Sequence, residues 1–260
     1  MKKIVLFSLM TLLWACEGTK VEQKKEETAK VDYTAHHVEA IDKVFEAHGG
    51  YEQWSKLKTL AYEMGGSKTL VDLQNRYTRI DSENQTVGFD GEKVWVNPPS
   101  ENADRQRMTY NLMFYFYAFP FVVGDPGVNY EPLEPIELAG QTYNAVKITY
   151  NAGVGDAPND QYIILSDQET NQMEWLMYTA TFGGEPSDRF NLIRYSGWQE
   201  VGGVKLATSL QWHRFADGVA GAPRGSATVF ENVRVSVEYP SMDNFRMPEG
   251  AVVAKDPAGE

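Results

Sequence analysis

The sequence predicts a mainly β protein with a few helices (α+β), built on one large, strongly curved antiparallel sheet of about ten strands. Two observations predict this class. From residue 58 onward, short runs of alternating apolar and polar residues are separated by turn residues such as Asp90-Gly91 and Gly202-Gly203. Helical spacing of apolar residues, by contrast, is confined to residues 34–57 and 105–123.

The N-terminus has the layout of a bacterial secretory signal. Lys2 and Lys3 precede an apolar run over residues 4–15, which is too short to cross a bilayer as a helix. The run ends at Cys16, the only cysteine of the chain, and residues 13–16 resemble a lipobox apart from the bulky Trp14. We therefore expect residues 1–15 to be a lipoprotein signal peptide and Cys16 to be lipidated. The alternative is a buried cysteine in an uncleaved helix.

The charge of the chain restricts its partners. The net charge is −12, which argues against nucleic acid as a partner and against electrostatic binding to an anionic membrane. Residues 16–33 are highly charged and poor in large apolar residues, so we expect a disordered acidic tether. Together these features predict attachment to the membrane through the N-terminal lipid. The expected location is the cell envelope, at the outer membrane, on either its periplasmic or its surface face.

The remaining chain is predicted to form a single domain over residues 34–250, followed by a flexible tail over 251–260. A helix is predicted over residues 34–50, where apolar residues lie three and four positions apart and Gly49 can end the helix. A shorter helical turn over 51–57 carries Trp54.

Strands are predicted where the apolar period falls to two residues. The predicted strands are 58–65, 68–80, 84–89, 93–96, 142–150, 160–165, 172–182, 189–199, 204–214 and 226–237. The connection over 216–225 is rich in glycine, alanine and proline, and we expect it to be mobile.

Residues 105–123 form an aromatic segment that can be helical as far as Pro120. It is apolar on nearly all sides and too short to span a bilayer, so we expect it to be buried in the concave side of the sheet. Two interpretations remain open. The segment either completes a packed core, or lines an apolar ligand pocket with adaptable side chains such as Met108, Met113, Phe116 and Phe119.

Four motifs together resemble one group of envelope proteins, the outer-membrane lipoprotein-sorting (Lol-type) proteins, and a Gram-negative lipoprotein family of unknown function within it. The motifs are Ala47-His48-Gly49-Gly50 with Trp54 and Leu57-Lys58-Thr59-Leu60, residues 111–120 with Asp125-Pro126-Gly127, residues 155–162, and residues 198–206. The likeness runs from about residue 36 to 250.

The resemblance implies an incomplete antiparallel β-barrel that wraps helices around a hydrophobic interior. In the sorting proteins this interior holds the acyl chains of lipoproteins. The leading hypothesis is therefore a non-enzymatic, lipid-anchored envelope protein that binds an acyl chain or a lipidated partner in a half-barrel groove. The candidate ligand-binding residues are Trp54, Met108, Leu112, Met113, Phe116 and Phe119.

Two alternatives stay open: an envelope interaction or assembly lipoprotein with a fully packed core, and a hydrolase of envelope polymers that uses carboxylates. No catalytic residue, metal site or cofactor is predicted. The sequence contains no Gly-x-Ser-x-Gly or His-Glu-x-x-His motif, and its single cysteine is assigned to the anchor. His36 and His37 with Glu39 make a poor metal set, and Asp156 and Asp160 are interpreted as turn residues rather than calcium ligands.

Overall fold

The computed structural model describes residues 36–152, 157–181 and 184–255. The predicted signal peptide, the lipidation site Cys16 and the tether over 16–33 lie outside the described residues, as do Asp156 and residues 256–260 of the predicted tail. Within these ranges, no helix combines the length and the hydropathy that crossing a membrane requires.

The described residues form one antiparallel sheet of 14 strands. The strands are β1 (Thr59–Met64), β2 (Ser67–Asp72), β3 (Thr78–Asp81), β4 (Thr86–Phe89), β5 (Val94–Asn97), β6 (Val128–Leu138), β7 (Gln141–Tyr150), β8 (Tyr162–Asp167), β9 (Met173–Tyr178), β10 (Asn191–Val201), β11 (Val204–Ala216), β12 (Val219–Pro223), β13 (Thr228–Ser236) and β14 (Val252–Val253).

The strand order is β14-β5-β4-β3-β2-β1-β13-β11-β10-β9-β8-β7-β6, with β12 folded back on β11 as a hairpin. The ends of this order, β14 and β6, do not pair with each other, so the sheet is open. One apolar cluster joins Val71 of β2 to Ile148 of β7 and Ile164 of β8, which are far apart in the strand order. The sheet must therefore curve around the segments that lie between these strands. The predicted fold class, a mainly β protein with a curved open sheet, is confirmed.

The described helices are α1 (Glu39–Ala47), α2 (Tyr51–Lys56), α3 (Ala103–Thr109) and α4 (Leu112–Tyr117), with single 3-10 turns at Phe121–Gly124 and Met242–Asn244. The helix predicted over 34–50 is shorter than expected, because Val38 has extended backbone angles at its start. At its end Gly49 and Gly50 have φ of 103° and 88°. A Cβ on Gly49 would lie 2.3 Å from the carbonyl oxygen of Gly203, so only glycine fits there.

The structure contains four strands that the sequence did not predict as separate strands, β3, β6, β12 and β14. The run over 68–80 contains two strands, β2 and β3, because residues 73–77 form a turn. The connection over 216–225, predicted to be mobile, contains β12, and the short β14 was also missed. The largest omission is β6, whose Pro132 and Pro135 argue against a strand. The structure places β6 at the edge of the sheet, where proline is tolerated.

The aromatic segment is not one helix. It is α3 and α4, separated at Tyr110–Asn111, then a 3-10 turn after Pro120, and the Phe119–Pro120 peptide bond is cis. Most of its buried residues join the central cluster, which also holds side chains of β2, β7 and β8: Phe114, Phe116, Tyr117, Ala118, Phe119, Phe121, Val122 and Val123. Most of the segment is therefore core, on the concave side of the sheet as predicted.

Candidate functional site

One side of α4 borders a cavity of about 420 Å³ between the aromatic segment and strands β7–β9. The wall is largely apolar and aromatic, with a few polar side chains. The apolar lining is Met108, Leu112, Phe114, Phe116, Val122, Val128, Ala157 and Ala180; the tyrosines are Tyr110, Tyr115, Tyr150, Tyr162 and Tyr178; the remaining lining residues are Arg76, Thr78, Asn111, Asp125, Asp160 and Thr179.

The helical spacing of α4 explains why three of its four cavity-lining side chains share one face; the fourth, Phe114, lies on another side of the helix. Leu112, Tyr115 and Phe116 lie three and four positions apart, so they share one face of the helix, and all three line the cavity. The other side of α4 is fixed to the core, where Tyr117 stacks on Phe230 with ring centroids 3.9 Å apart. The hydroxyl of Tyr195 on β10 donates to the carbonyl oxygen of Phe116 over 2.7 Å. The helix is thus held against the sheet while one face borders the cavity.

Tyrosines from three strands form the part of the wall that adjoins α4. The hydroxyls of Tyr115 and Tyr150 are hydrogen-bonded to each other, and the Tyr162 ring lies 5.6 Å from that of Tyr115. Tyr178 packs on Phe116 with centroids 4.7 Å apart and accepts a hydrogen bond from Trp212 Nε1 over 3.0 Å. Burial raises the pKa of the Tyr115, Tyr150, Tyr162 and Tyr178 hydroxyls. This wall is therefore electrically neutral.

An ion pair supplies charge on another part of the lining. Arg76, in the turn between β2 and β3, binds Asp125 through Nη2 and the carboxylate, and its guanidinium lies 5.5 Å from the centre of the Phe114 ring. Asp125 also accepts from the hydroxyl of Tyr51 over 3.2 Å. The backbone here is held as well, because His36 Nε2 donates to the carbonyl oxygen of Asp125 over 3.1 Å. These contacts fix both charged groups at the cavity.

Asp160 contributes a further carboxylate and is nearly buried. Its Oδ1 accepts from the amide and the hydroxyl of Thr181, over 2.6 and 2.7 Å. This pair of bonds closes the connection before β8 against the end of β9. The side chain of Asp160 thus bonds to a distant backbone amide, while its own amide donates to the carbonyl oxygen of Ala157 over 3.0 Å. Among the described ranges, no group of three His, Asp or Glu side chains is arranged to hold a metal ion.

The six candidate ligand-binding residues fall into two groups. Met108, Leu112 and Phe116 line the cavity. The other three do not: Met113 and Phe119 pack in or against the central cluster, and Trp54 stacks on Phe121 with centroids 4.9 Å apart. The two histidines considered as metal ligands instead bind backbone carbonyls, His36 that of Asp125 and His37 that of Gly124.

Sequence reasoning missed the polar part of the lining. Arg76 and Asp125 are 49 positions apart, so no spacing rule joins them. A local signal did exist for Asp125, because a carboxylate followed by Pro-Gly directly after an apolar segment is a turn at the edge of the core. Tyrosines on β7, β8 and β9 lie near one another because these strands pair. The sequence alone does not give this pairing, so it could not place the tyrosines at one site.

No protein-family model matches the chain, and no curated protein matches it. Several solved structures are similar. A LolA superfamily protein from Nitrosomonas europaea is 12% identical, with a TM-score of 0.44, over 73% of this chain and 87% of that one. A DUF1329 family protein from Desulfovibrio piger is 14% identical, with a TM-score of 0.43, over 79% and 98% of the two chains.

A third similar structure is a putative outer membrane lipoprotein-sorting protein domain from Vibrio parahaemolyticus. It is 9% identical, with a TM-score of 0.35, over 74% of this chain and 93% of that one. The likeness to the Nitrosomonas and Vibrio proteins, which their descriptions place among LolA-superfamily and lipoprotein-sorting proteins, is one of fold.

Proposed function

We propose that this protein binds an apolar ligand, an acyl chain or the lipid of a lipidated partner, in the cavity beside α4 and catalyses no reaction. The observation that carries the proposal is the cavity itself, about 420 Å³ with a mainly apolar and aromatic wall. This volume lies within the range of small-molecule pockets, roughly 300–1,000 Å³. A well-packed interior ordinarily has few voids larger than a water molecule, so a space of this size calls for an occupant.

Burial of hydrocarbon would supply the affinity. Each methylene group moved from water into the cavity contributes about 0.8 kcal/mol. An acyl chain therefore gains several kcal/mol even after the cost of ordering it. Met108 and Leu112 suit this task because flexible aliphatic side chains adapt to a chain that has no fixed shape. Met108 is 41% exposed, so it lies where the wall meets solvent and a chain could enter.

The two alternatives account less well for this region. An interaction or assembly protein with a fully packed core would have no need of a cavity beside α4. A hydrolase needs carboxylates that are free to exchange protons with a substrate. The two carboxylates of the lining are already engaged, Asp125 by Arg76 and Tyr51, and Asp160 by Thr181. Binding without chemistry is therefore the function that this arrangement supports best.

The proposed setting is the bacterial envelope, with the domain attached to a membrane, the outer membrane in our proposal, through a lipid on Cys16. The sequence features that support it are the basic and apolar N-terminus and the single cysteine at its end. In this setting an acyl-binding cavity would have lipids and lipidated proteins within reach.

Binding can be tested with a matched pair of substitutions on α4. The full chain carrying Cys16→Ser is purified without detergent, and binding of the fluorescent apolar probe N-phenyl-1-naphthylamine is titrated. Leu112→Asp puts a charge on the cavity wall, and we expect at least a tenfold weaker affinity, since burying an unpaired carboxylate is costly. Met113→Asp is the control, because Met113 is the adjacent half-buried residue and does not line the cavity.

Circular dichroism of both variants shows whether the sheet is intact. Two results together support the proposal. Added compounds with a lauroyl chain displace the probe from the parent chain, and Leu112→Asp loses probe binding while Met113→Asp keeps it. Equal loss of binding in both folded variants, or no binding by the parent chain, contradicts it.

A further inference from the structure

Asp160 places a nearly buried carboxylate at the cavity wall. The residue is only 9% exposed, and it lines the cavity. None of the ion pairs among the described residues includes this carboxylate. Burying a charge is costly unless a partner of opposite charge and hydrogen bonds compensate for the water that it loses. Asp160 therefore presents a negative charge to the cavity that its described surroundings compensate only in part.

The two oxygens of this carboxylate have different surroundings. Oδ1 accepts from the amide and the hydroxyl of Thr181, so the orientation of the side chain is fixed. Oδ2 accepts no hydrogen bond from the described residues. The polar atoms there that are both fully buried and without a partner belong to His48, Arg76 and Tyr117, so Oδ2 of Asp160 keeps accessible surface. Because Asp160 is otherwise buried and borders the cavity, a ligand in the cavity can reach this oxygen.

The hydroxyl of Tyr162 is a second oxygen of this kind. Tyr162 lines the cavity, and its hydroxyl has no hydrogen bond to another described residue and is not fully buried. Burial and the neighbouring Tyr115 raise the pKa of Tyr162, and the charge of Asp160 adds to this effect, so the two side chains lie close together. Within the described chain, two neighbouring oxygens of the lining thus have no donor. An ammonium group suits them, because it carries three N–H donors and no acceptor.

The charge of the lining favours the same head group. Arg76 is the only cationic side chain of the described lining, and its ion pair with Asp125 neutralises it. Asp160 then leaves a formal charge of −1, because the tyrosine hydroxyls are neutral. Arg224, whose charge acts on the hydroxyl of Tyr178, is exposed and does not line the cavity. A carboxylate or phosphate head group would be repelled here, whereas a cation would be attracted.

We propose that the cavity takes amphiphiles whose apolar chain carries a protonated amine, and that this ammonium group donates to Asp160 Oδ2 and to the Tyr162 hydroxyl. The inference rests on the proposed function and adds the chemistry of the head group to it. Amines of this kind occur in amino lipids and at the α-amino end of lipidated peptides, so the shared chemistry is an ammonium group beside an apolar chain. An ionised free fatty acid is the ligand that this arrangement disfavours.

The test compares dodecyl compounds with different heads. The full chain carrying Cys16→Ser is loaded with N-phenyl-1-naphthylamine at pH 7 and about 0.15 M salt, which screens general attraction between cations and the acidic chain. Displacement of the probe is measured for dodecylamine, glycine dodecyl ester, dodecanol, laurate and dodecyltrimethylammonium, each below the concentration at which it forms micelles.

We expect dodecylamine or glycine dodecyl ester to bind about tenfold or more tightly than dodecanol, as hydrogen bonds to a charged group provide. Dodecyltrimethylammonium has the same charge as dodecylamine but no N–H donor, so it should bind more weakly. Tighter binding of dodecylamine identifies the amino-lipid type, and tighter binding of glycine dodecyl ester identifies the α-amino type. Both results support the inference.

Three substitutions identify the acceptors. Asp160→Asn keeps an oxygen for Thr181 but removes the charge, so the amines should lose their advantage over dodecanol. Asp167→Asn is the control, because it removes the same charge from a carboxylate that accepts from the amide of Thr170 and does not line the cavity. Tyr162→Phe removes the second acceptor and should reduce the advantage by about threefold or more. If Asp160→Asn does not fold, the order of the competitors on the parent chain and the Tyr162→Phe result decide the question.

Distinct outcomes separate the two proposals. If the parent chain binds dodecanol as tightly as the amines, or prefers laurate, the head-group inference is wrong while chain binding stands. The inference is also wrong if dodecyltrimethylammonium binds as tightly as dodecylamine, or if Asp160→Asn and Asp167→Asn change the amine affinity equally. Both of these results would indicate general attraction to the acidic chain. If neither the probe nor any dodecyl compound binds, the proposed function itself is wrong.

Discussion

His48 is a buried histidine at the C-terminal end of α1. Its Nδ1–H donates to the carbonyl oxygen of Val44 over 2.7 Å, and its ring lies 4.5 Å from the Trp198 ring. Burial lowers the pKa of His48 from 6.5 to about 4, mainly because the charged ring would lose its water. The ring is therefore neutral at pH 7, and a hydrogen bond, not an attraction between a charged ring and the helix dipole, holds it at the end of α1.

A neutral buried histidine makes stability depend on pH. Below pH 6.5 the unfolded chain binds a proton at His48, whereas the folded chain binds it only near pH 4. The free energy of unfolding should therefore fall as the pH falls through this window, by roughly 3 kcal/mol from this group. Urea denaturation at pH 7, 6, 5 and 4 measures it. His48→Gln keeps a donor for Val44 and should flatten this part of the pH dependence.

Comparison with the parent chain is essential, because carboxylates also lose stabilising contacts in acid. Partial burial opposes ionisation of Asp81, for example, but hydrogen bonds from Arg79 and Thr86 together with the charges of Arg79 and Lys68 outweigh it and lower the pKa of Asp81. Only the difference between the two pH profiles belongs to His48. Parallel profiles for His48→Gln and the parent chain would show that the ring is accessible to protons in the folded state.

At the scale of elements, the sequence predicted best the strands whose ends are marked by turn residues. The strands β7, β10 and β11 were predicted to within a few residues, although burial does not alternate strictly along them. β6 was missed because its prolines and acids obscure the alternation, and an edge strand tolerates both. The aromatic segment was predicted to be buried, but its apolar residues on all sides gave no period from which the break at Tyr110–Asn111 could be predicted.

The contact between α4 and β10 should determine how firmly the aromatic segment is held. The last carbonyls of a helix lack partners within the helix, and the buried hydroxyl of Tyr195 satisfies the one at Phe116. Tyr195→Phe leaves this carbonyl without that donor, and we expect the free energy of unfolding to fall by about 1–2 kcal/mol. Urea denaturation at pH 7 measures the change.

Tyr239→Phe is the matched control for this prediction. Tyr239 is 57% exposed, so its hydroxyl is solvated in both the folded and the unfolded chain. Removing this hydroxyl should therefore leave the free energy of unfolding unchanged. The expectation for Tyr195 is wrong if both phenylalanine variants unfold at the same urea concentration as the parent chain.

For the whole molecule, the sequence predicted the class of fold and where the aromatic surface is buried, but not how the site is assembled. The open sheet could be predicted from the apolar and polar pattern of the strands and from the turn residues between them, because both are features of neighbouring positions in the sequence. The cavity depends on side chains brought together over long distances: Arg76 meets Asp125 and Tyr115 meets Tyr150 only because β2, α4 and β7 pack around one core. Such long-range contacts depend on the order of the strands in the sheet. The period of apolar residues along the sequence does not reveal this order.

The charge of the whole chain makes the predicted anchor testable. With a net charge of −12, the protein gains no electrostatic attraction to an anionic bilayer. Attachment to a membrane must then come from the lipid predicted on Cys16, since one acyl chain buries many methylenes at about 0.8 kcal/mol each. We expect the parent chain in the membrane fraction of cells and Cys16→Ser in the soluble fraction. Fractionation at high salt removes weak electrostatic binding, so a Cys16→Ser chain that still sediments with membranes there would refute lipid anchoring at this residue.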